Sequence, residues 1–136
     1  MIRNTAAVIR MEEAGGLIRI DAHGSISVHE MMAHFRELEA LATRTSGPVA
    51  SVIDARGVQL DSLSRAHRDC AVDALARMRP AIADRYVAQA FVVQSIMGRA
   101  FVGMLHLFVR PALKSRSFRN LDAAIRWADQ ELERAR

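Results

Sequence analysis

YVAQAFVVQSIMGRAFVGMLHLFVRPAL, residues 86–113, decides the fold, because charged residues almost disappear from this stretch while apolar side chains accumulate. Arg99 and Arg110 are its only charged residues. A membrane-spanning helix needs about 20 predominantly apolar residues in succession. Gln89, Gln94 and Ser95 interrupt the first half of the stretch together with Arg99. We therefore reject a membrane span.

The same stretch divides into a strand and a helix. Residues 87–93 form a near-continuous apolar run with valines and a phenylalanine, which is typical of a strand covered on both faces. The spacing then predicts a helix that begins near Ser95 and ends before Pro111. We expect residues 87–93 to be the central strand of a sheet.

Towards the N-terminus, two short runs rich in valine and isoleucine, 6–11 and 17–21, flank a glycine pair. This pattern predicts a β-hairpin. Ser27 followed three residues later by Glu30 is a capping box, which predicts the start of a helix. The apolar face of that helix consists of Met31, Phe35, Leu38, Leu41 and Ala42.

Towards the C-terminus, strands and helices alternate. Residues 49–53 predict a strand, 55–60 a loop, and the next helix starts at Asp61, Ser62 or Ser64. Residues 114–118 predict a short edge strand, and the last helix is capped by Asn120 or Asp122. The order ββαβαβαβα predicts one α/β domain over residues 1–136, with a four- to five-stranded mixed sheet and flanking helices.

The composition favours a protein of the cytoplasm. Half of the residues (51%) are hydrophobic, which suits one packed core at this length. The single Cys70 excludes an internal disulfide and suits a reducing compartment. No signal peptide is expected, because Arg10 and Glu12 interrupt the apolar run near the N-terminus. The 19 basic residues barely outnumber the 15 acidic ones and form no block, so nucleic acid is not an expected partner.

Catalytic and metal-binding patterns are weak. His29 and His34 are five residues apart, about 140° around a helix, whereas zinc-binding histidines on a helix are four apart. We therefore interpret them as solvated surface residues. His67 and Cys70 could meet on one helix, but two ligands make an incomplete zinc site, and a small buried cysteine is the simpler interpretation. No nucleophile motif or glycine-rich phosphate loop is found, so we predict no enzyme activity, metal or cofactor.

The segment VIDARGVQLDSLSR, residues 52–65, is one of two stretches that suggest a function. A helix N-terminus favours negative charge, so a phosphate on Ser62 could be held there by backbone amides. Asp61 and Asp54 lie near this serine in sequence, with Arg56 and Arg65 as basic partners. The alternative is that Asp61, Ser62 or Ser64 simply caps the helix.

The predicted third helix, residues 95–110, is the second such stretch. Apolar residues occur on nearly every side of this helix, although a flanking helix of a small domain normally exposes one face to solvent. A second copy of the chain, another protein or an apolar ligand could cover the surplus. The candidate interface or ligand-binding residues are Met97, Phe101, Met104, Leu105 and Phe108.

Four motifs in this order resemble the STAS superfamily, and more closely its SpoIIAA-like branch of small bacterial proteins. They are LIRIDAHG (17–24), VIDARGVQLDS (52–62), MGRAFVGMLHLFV (97–109) and FRNLDAAIRWADQEL (118–132). The resemblance implies a mixed sheet of four or five strands with helices. In the antagonist subgroup it implies a serine, after an aspartate at the start of the second helix, that a partner kinase phosphorylates. Asp61 and Ser62 occupy that place, one residue closer to Asp54 than in the antagonist pattern.

Two functional classes follow. The first is a non-enzymatic regulatory or protein-interaction module that self-associates, most simply as a dimer, through the third helix, with a kinase or an anti-sigma-like factor as partner. The second is a carrier or sensor of a small apolar or lipid-like ligand bound between the third helix and the sheet. The related CRAL-TRIO lipid-binding fold suggests the second class only by analogy of fold.

Overall fold

The computed structural model describes residues 9–78, 80–96, 98–100 and 113–136. Within these ranges the chain forms a five-stranded sheet in the order β1-β2-β3-β4-β5, which is also the order of the strands along the chain. The first pair is antiparallel and the other three pairs are parallel. The predicted α/β class and mixed sheet are confirmed.

The hairpin joins β1 (Ile9–Ala14) to β2 (Leu17–Gly24) through the predicted glycine pair. Gly15 and Gly16 have φ values of 61° and 91°, a conformation that side chains with a Cβ rarely adopt. A Cβ on Gly16 would also lie 2.6 Å from the Pro48 carbonyl oxygen. The hairpin prediction is confirmed, and β1 continues to Ala14, beyond the predicted end at Met11.

The three parallel strands are β3 (Val49–Val58), β4 (Tyr86–Val92) and β5 (Lys114–Phe118). β4 is the strand predicted at residues 87–93, and it is covered on both faces as expected. It is an interior strand between β3 and β5, but the middle strand of the five is β3. The prediction that residues 87–93 form the central strand is therefore wrong by one position, because only one strand, β5, follows β4 in the sheet.

The predicted end of β3 is also wrong. Residues 55–60 were expected as a loop, but β3 continues to Val58 by pairing with the end of β2, where His23 lies opposite Gly57. A shift of register between Asp21 and His23 makes this extension possible. A Cβ on Gly57 would lie 2.9 Å from the His23 Cβ, so glycine suits the close approach of the two strands.

The helices are α1 (Val28–Arg44), α2 (Arg65–Arg77), the short α3 (Pro80–Ala83) and α4 (Leu121–Ala135). The Ser27–Glu30 capping box is present: Glu30 N–H donates to Ser27 Oγ at 3.0 Å, and Ser27 N–H donates to Glu30 Oε1 at 2.9 Å. Asn120 caps α4, because its side chain accepts from Ala123 N–H at 3.0 Å. None of the helices in the described ranges is long and apolar enough to cross a membrane.

The helices cover the two faces of the sheet unequally. α1 packs against one face, called here the α1 face, with Leu38 and Ala42 buried against Ile18, Ile20 and Val49. α4 packs against the opposite face, called here the α4 face. Its core consists of Ala50, Val52, Ala88, Ala90, Val92, Ala124, Ala128 and Leu132. The many alanines let α4 lie close to β3 and β4.

The buried face of α2 consists of His67, Ala71 and Leu75. Cys70, interpreted from the sequence as a small buried residue, is half-buried. His67 lies in the interior, where its ring finds hydrogen-bond partners.

Candidate functional site

The segment between β3 and α2 contains the candidate phosphosite. A 3₁₀ turn over Leu60–Ser62 follows β3, and α2 starts only at Arg65. The Ser62 hydroxyl donates to the Gln59 carbonyl oxygen at 2.6 Å, and the Ser62 N–H donates to the same oxygen at 3.0 Å. Ser62 is half-buried, and Asp61 is exposed. Ser62 and Asp61 thus lie in a turn ahead of α2 rather than in its first turn.

Ser64 occupies the N-cap position of α2, one of the three alternatives open in the sequence. Its N–H donates to His67 Nδ1 at 3.0 Å, and its hydroxyl lies 2.9 Å from the same nitrogen. His67 Nε2 lies 2.6 Å from the Ile26 carbonyl oxygen. A carbonyl only accepts, so Nε2 carries the proton and Nδ1 is the acceptor. His67 therefore ties the start of α2 to the chain ahead of α1, a role that its spacing to Cys70 did not suggest.

Asp54 and Arg56 form a two-pronged ion pair. Arg56 Nε donates to Asp54 Oδ1 at 2.9 Å, and Arg56 Nη2 donates to Oδ2 at 2.8 Å. These bonds lower the pKa of the Asp54 carboxyl, against the opposing effect of partial burial. The structure brings these two predicted residues together, whereas the Ser62 hydroxyl is bonded to the Gln59 carbonyl oxygen.

The same ion pair borders a charged area on the α4 face of the hairpin. Across β1 and β2, Arg10 lies opposite Asp21 and Glu12 lies opposite Arg19. Asp21 in turn lies opposite Asp54 on β3. The area therefore combines positive and negative groups, with two aspartates side by side on β2 and β3, instead of forming a basic patch. This arrangement agrees with the expectation that nucleic acid is not a partner, without testing it.

The α1 face carries a cavity of about 110 Å³ between the sheet, α1 and α2. Apolar side chains from both helices and from β1 to β4 line it. They include Ile20, Phe35, Leu38, Ile53, Leu75 and Phe91. Gly98, at the start of the predicted third helix, also lines it, whereas the walls from α1 and α2 were not predicted, because they come from elements far apart along the chain.

His34 is the unusual residue of this cavity wall. The residue as a whole is half-buried, but Nδ1 is shut off from solvent and has no hydrogen-bond partner among the described residues. Burial lowers the pKa of His34 to about 4, so the ring is neutral at pH 7. The interpretation of His34 as a solvated surface histidine is therefore wrong. The ring lies edge-on to Phe35, with 5.0 Å between centroids.

Tyr86 and Gln89 add a polar chain at the cavity. The Ser51 hydroxyl is bonded to the Tyr86 hydroxyl, which donates to Gln89 Oε1 at 3.2 Å. Gln89 Nε2 then donates to Ser115 Oγ at 3.2 Å. Burial raises the pKa of Tyr86 to about 12, although the bond to Ser51 opposes the rise. This chain crosses β3, β4 and β5, and its members satisfy one another.

The candidate residues of the third helix, Met97, Phe101, Met104, Leu105 and Phe108, lie outside the described residues. The start of that helix is described: residues 96 and 98–100 are helical, and Gly98 N–H donates to Ser95 Oγ at 2.9 Å. This confirms the predicted helix start near Ser95. In the part of the chain that the structure describes, no group of three or more His, Cys, Asp or Glu side chains could hold a metal ion.

Two crystal structures share this architecture. The first is an uncharacterized protein of the DUF3478 family from Shewanella loihica PV-4, with a SpoIIAA-like fold. It aligns with a TM-score of 0.63 over 88% of this chain and 91% of its own, at 15% identity. The 136-residue chain therefore has a SpoIIAA-like fold. The sequence itself matches no family model and no curated protein.

The second structure with the SpoIIAA-like arrangement is an anti-sigma factor antagonist from Mycobacterium paratuberculosis. It aligns with a TM-score of 0.59 over 89% of this chain and 92% of its own, at 16% identity. Both alignments span most of the two chains, so they cover the whole arrangement of sheet and helices. They confirm the SpoIIAA-like fold that the four sequence motifs predicted.

Proposed function

We propose that the protein is a non-enzymatic regulatory module that acts by binding another protein, and that the segment from β3 to α2 contacts the partner. The observation that carries this proposal is the likeness in fold to an anti-sigma factor antagonist over nearly the whole chain. The expected partner is therefore a protein such as a kinase or an anti-sigma-like factor.

The geometry of the segment supports its assignment as the contact region. Gln59, Asp61, Ser64 and Arg65 are all exposed, so the segment offers several polar side chains to a partner. The stretch is held from within by the Ser62–Gln59 and Ser64–His67 hydrogen bonds. A surface with a fixed backbone loses little conformational freedom when a partner binds.

A phosphate on Ser62 would act as a switch on this surface. The hydroxyl that now donates to Gln59 would lose its proton to esterification, and the new group would carry nearly two negative charges. The turn would have to open or rearrange, because the half-buried oxygen is bonded inward. Arg65, exposed at the first position of α2, is the nearest unoccupied basic candidate in sequence, whereas Arg56 is bound to Asp54.

Site-specific photo-crosslinking in the native cells tests the contact region. A photoreactive residue at position 59 reports on the proposed surface, and one at position 129, exposed on α4, is the matched control. We expect position 59 to capture one predominant protein that position 129 does not capture. Equal capture from both positions, or none from position 59, would contradict the proposal.

Self-association is the second part of the proposal. The apolar surplus in residues 95–110 supports a dimer contact through Met97, Phe101, Met104, Leu105 and Phe108. Sedimentation at tens of micromolar should give a dimer, and Leu105→Glu should shift it to monomer. Asp129→Lys on α4 is the control and should leave the dimer unchanged. A wild-type monomer at these concentrations would refute this part.

A small apolar ligand is a second candidate function, and the cavity on the α1 face favours it. This cavity lies among the sheet, α1 and α2, and Gly98, at the start of the predicted third helix, is also among its lining residues. Native mass spectrometry of the protein purified from its own cells tests carriage. An adduct that is lost on denaturation supports it, and a spectrum of unmodified chain alone counts against it.

A further inference from the structure

The cavity on the α1 face combines an apolar wall with one unsatisfied polar atom. Among the described residues that line it, none is charged at pH 7, and nearly all are aliphatic or aromatic. Such a cavity disfavours ions, because burial of an unpaired charge is strongly unfavourable. An occupant must therefore be uncharged and largely apolar.

The second requirement for an occupant of the cavity comes from His34. Its Nδ1 is buried and has no partner among the described residues, although polar atoms in protein interiors are nearly always hydrogen-bonded. The other polar side chains of the wall, Tyr86 and Gln89, are already bonded to each other and to Ser51 and Ser115. Among the described polar side chains of the wall, His34 is thus the one with a buried atom that lacks a hydrogen-bond partner.

The size of the cavity limits the occupant to a small molecule. Its volume of about 110 Å³ is of the same order as the roughly 150 Å³ of an engineered apolar cavity that binds benzene. A single ring or a short branched chain fits this scale, whereas a whole fatty acid or steroid does not.

We propose that this cavity binds a small, uncharged molecule with one aromatic or aliphatic ring and a single hydroxyl group, and that the hydroxyl pairs with Nδ1 of His34. This inference rests on the second candidate function and specifies its ligand. A hydroxyl both donates and accepts, so it satisfies Nδ1 in either tautomer of the neutral ring.

Phenol and toluene are suitable probes, because they share a ring and differ in the polar group. Their affinities for the full-length protein can be measured by NMR titration of ¹⁵N-labelled chain. His34→Phe keeps a planar ring and removes the nitrogen, and His29→Phe, at an exposed position of the same helix, is the matched control. Loss of one buried hydrogen bond should lower the ratio of phenol to toluene affinity about tenfold in His34→Phe and leave it unchanged in His29→Phe.

The outcomes separate the inference from the function on which it rests. If the wild-type protein binds both probes and His34→Phe leaves the ratio unchanged, the ligand-binding function stands and the role of His34 is refuted. If neither probe binds, both are refuted. A direct readout covers the case in which His34→Phe fails to fold: phenol should shift the wild-type His34 Nδ1 resonance and toluene should not. Equal shifts with both probes would overturn the proposed hydrogen bond.

Discussion

Acidification should destabilise this protein through one buried histidine, and the effect can be isolated by the substitution His34→Phe. The pKa of His34 is about 4 in the folded chain and 6.5 ordinarily, because burial disfavours the charged ring. The unfolded chain therefore takes up a proton first as the pH falls. The stability that neutral His34 provides is complete above pH 6.5 and is lost as the pH falls towards 4.

The two pKa values fix the size of the effect. Between pH 7.5 and pH 5.0, preferential protonation of the unfolded chain should lower the free energy of unfolding by about 2 kcal/mol. Phenylalanine has nearly the shape of the imidazole and no titratable nitrogen. His34→Phe should therefore lack this loss, whatever its own stability at pH 7.5.

Urea unfolding of both proteins at pH 7.5 and 5.0 measures the difference. The fluorescence of Trp127 is a suitable signal, because this side chain packs on Phe118 between α4 and β5, with 5.6 Å between ring centroids. The two proteins differ only at position 34, so the contributions of all other groups cancel in the comparison. If the two proteins lose the same free energy within about 0.5 kcal/mol, His34 is not buried as neutral imidazole in solution.

Three further substitutions test the fold by chemical denaturation. Arg85→Met removes the donors to the Ala42, Thr45 and Gly47 carbonyls at the end of α1. It should lower the free energy of unfolding by about 2 kcal/mol. The control Arg36→Met, at an exposed position of α1, should change this free energy by less than about 0.5 kcal/mol. Tyr86→Phe removes the hydroxyl to which both Ser51 and Gln89 are bonded, and it should lower the free energy of unfolding by about 1–3 kcal/mol. An unchanged free energy would show that the polar chain is not formed. Gly57→Ala places a Cβ 2.9 Å from the Cβ of His23 and should lower the free energy of unfolding by about 1–3 kcal/mol. An unchanged free energy would mean that β3 does not extend as described.

Features with local causes could be predicted from the sequence. The Ser27–Glu30 capping box lies within four residues, and the hairpin depends on two adjacent glycines. β5 at Lys114–Phe118 and the Asn120 cap of α4 also follow from short patterns, and all four are present. The predicted strands at 49–53, 87–93 and 114–118 are also present, and the order of these elements agrees with the SpoIIAA-like fold.

Features with distant causes could not be predicted. β3 continues to Val58 because the end of β2 changes register and brings His23 opposite Gly57, and neither strand shows this alone. His67 turns inward because Ile26, 41 residues away, offers a carbonyl oxygen. His34 and His67 are both polar residues on helices, and their sequence spacing does not distinguish a surface position from an interior one.

The central claim, that a protein partner binds the segment from β3 to α2, is tested most directly by the affinity of the partner captured from position 59. Isothermal titration of the purified partner against wild type, Ser62→Asp and Asp129→Asn gives the three dissociation constants. Because Ser62→Asp removes the bond to Gln59 and adds a charge in the contact region, we expect a change of about tenfold or more in Kd, with none for Asp129→Asn. Equal affinity for all three proteins would contradict the claim.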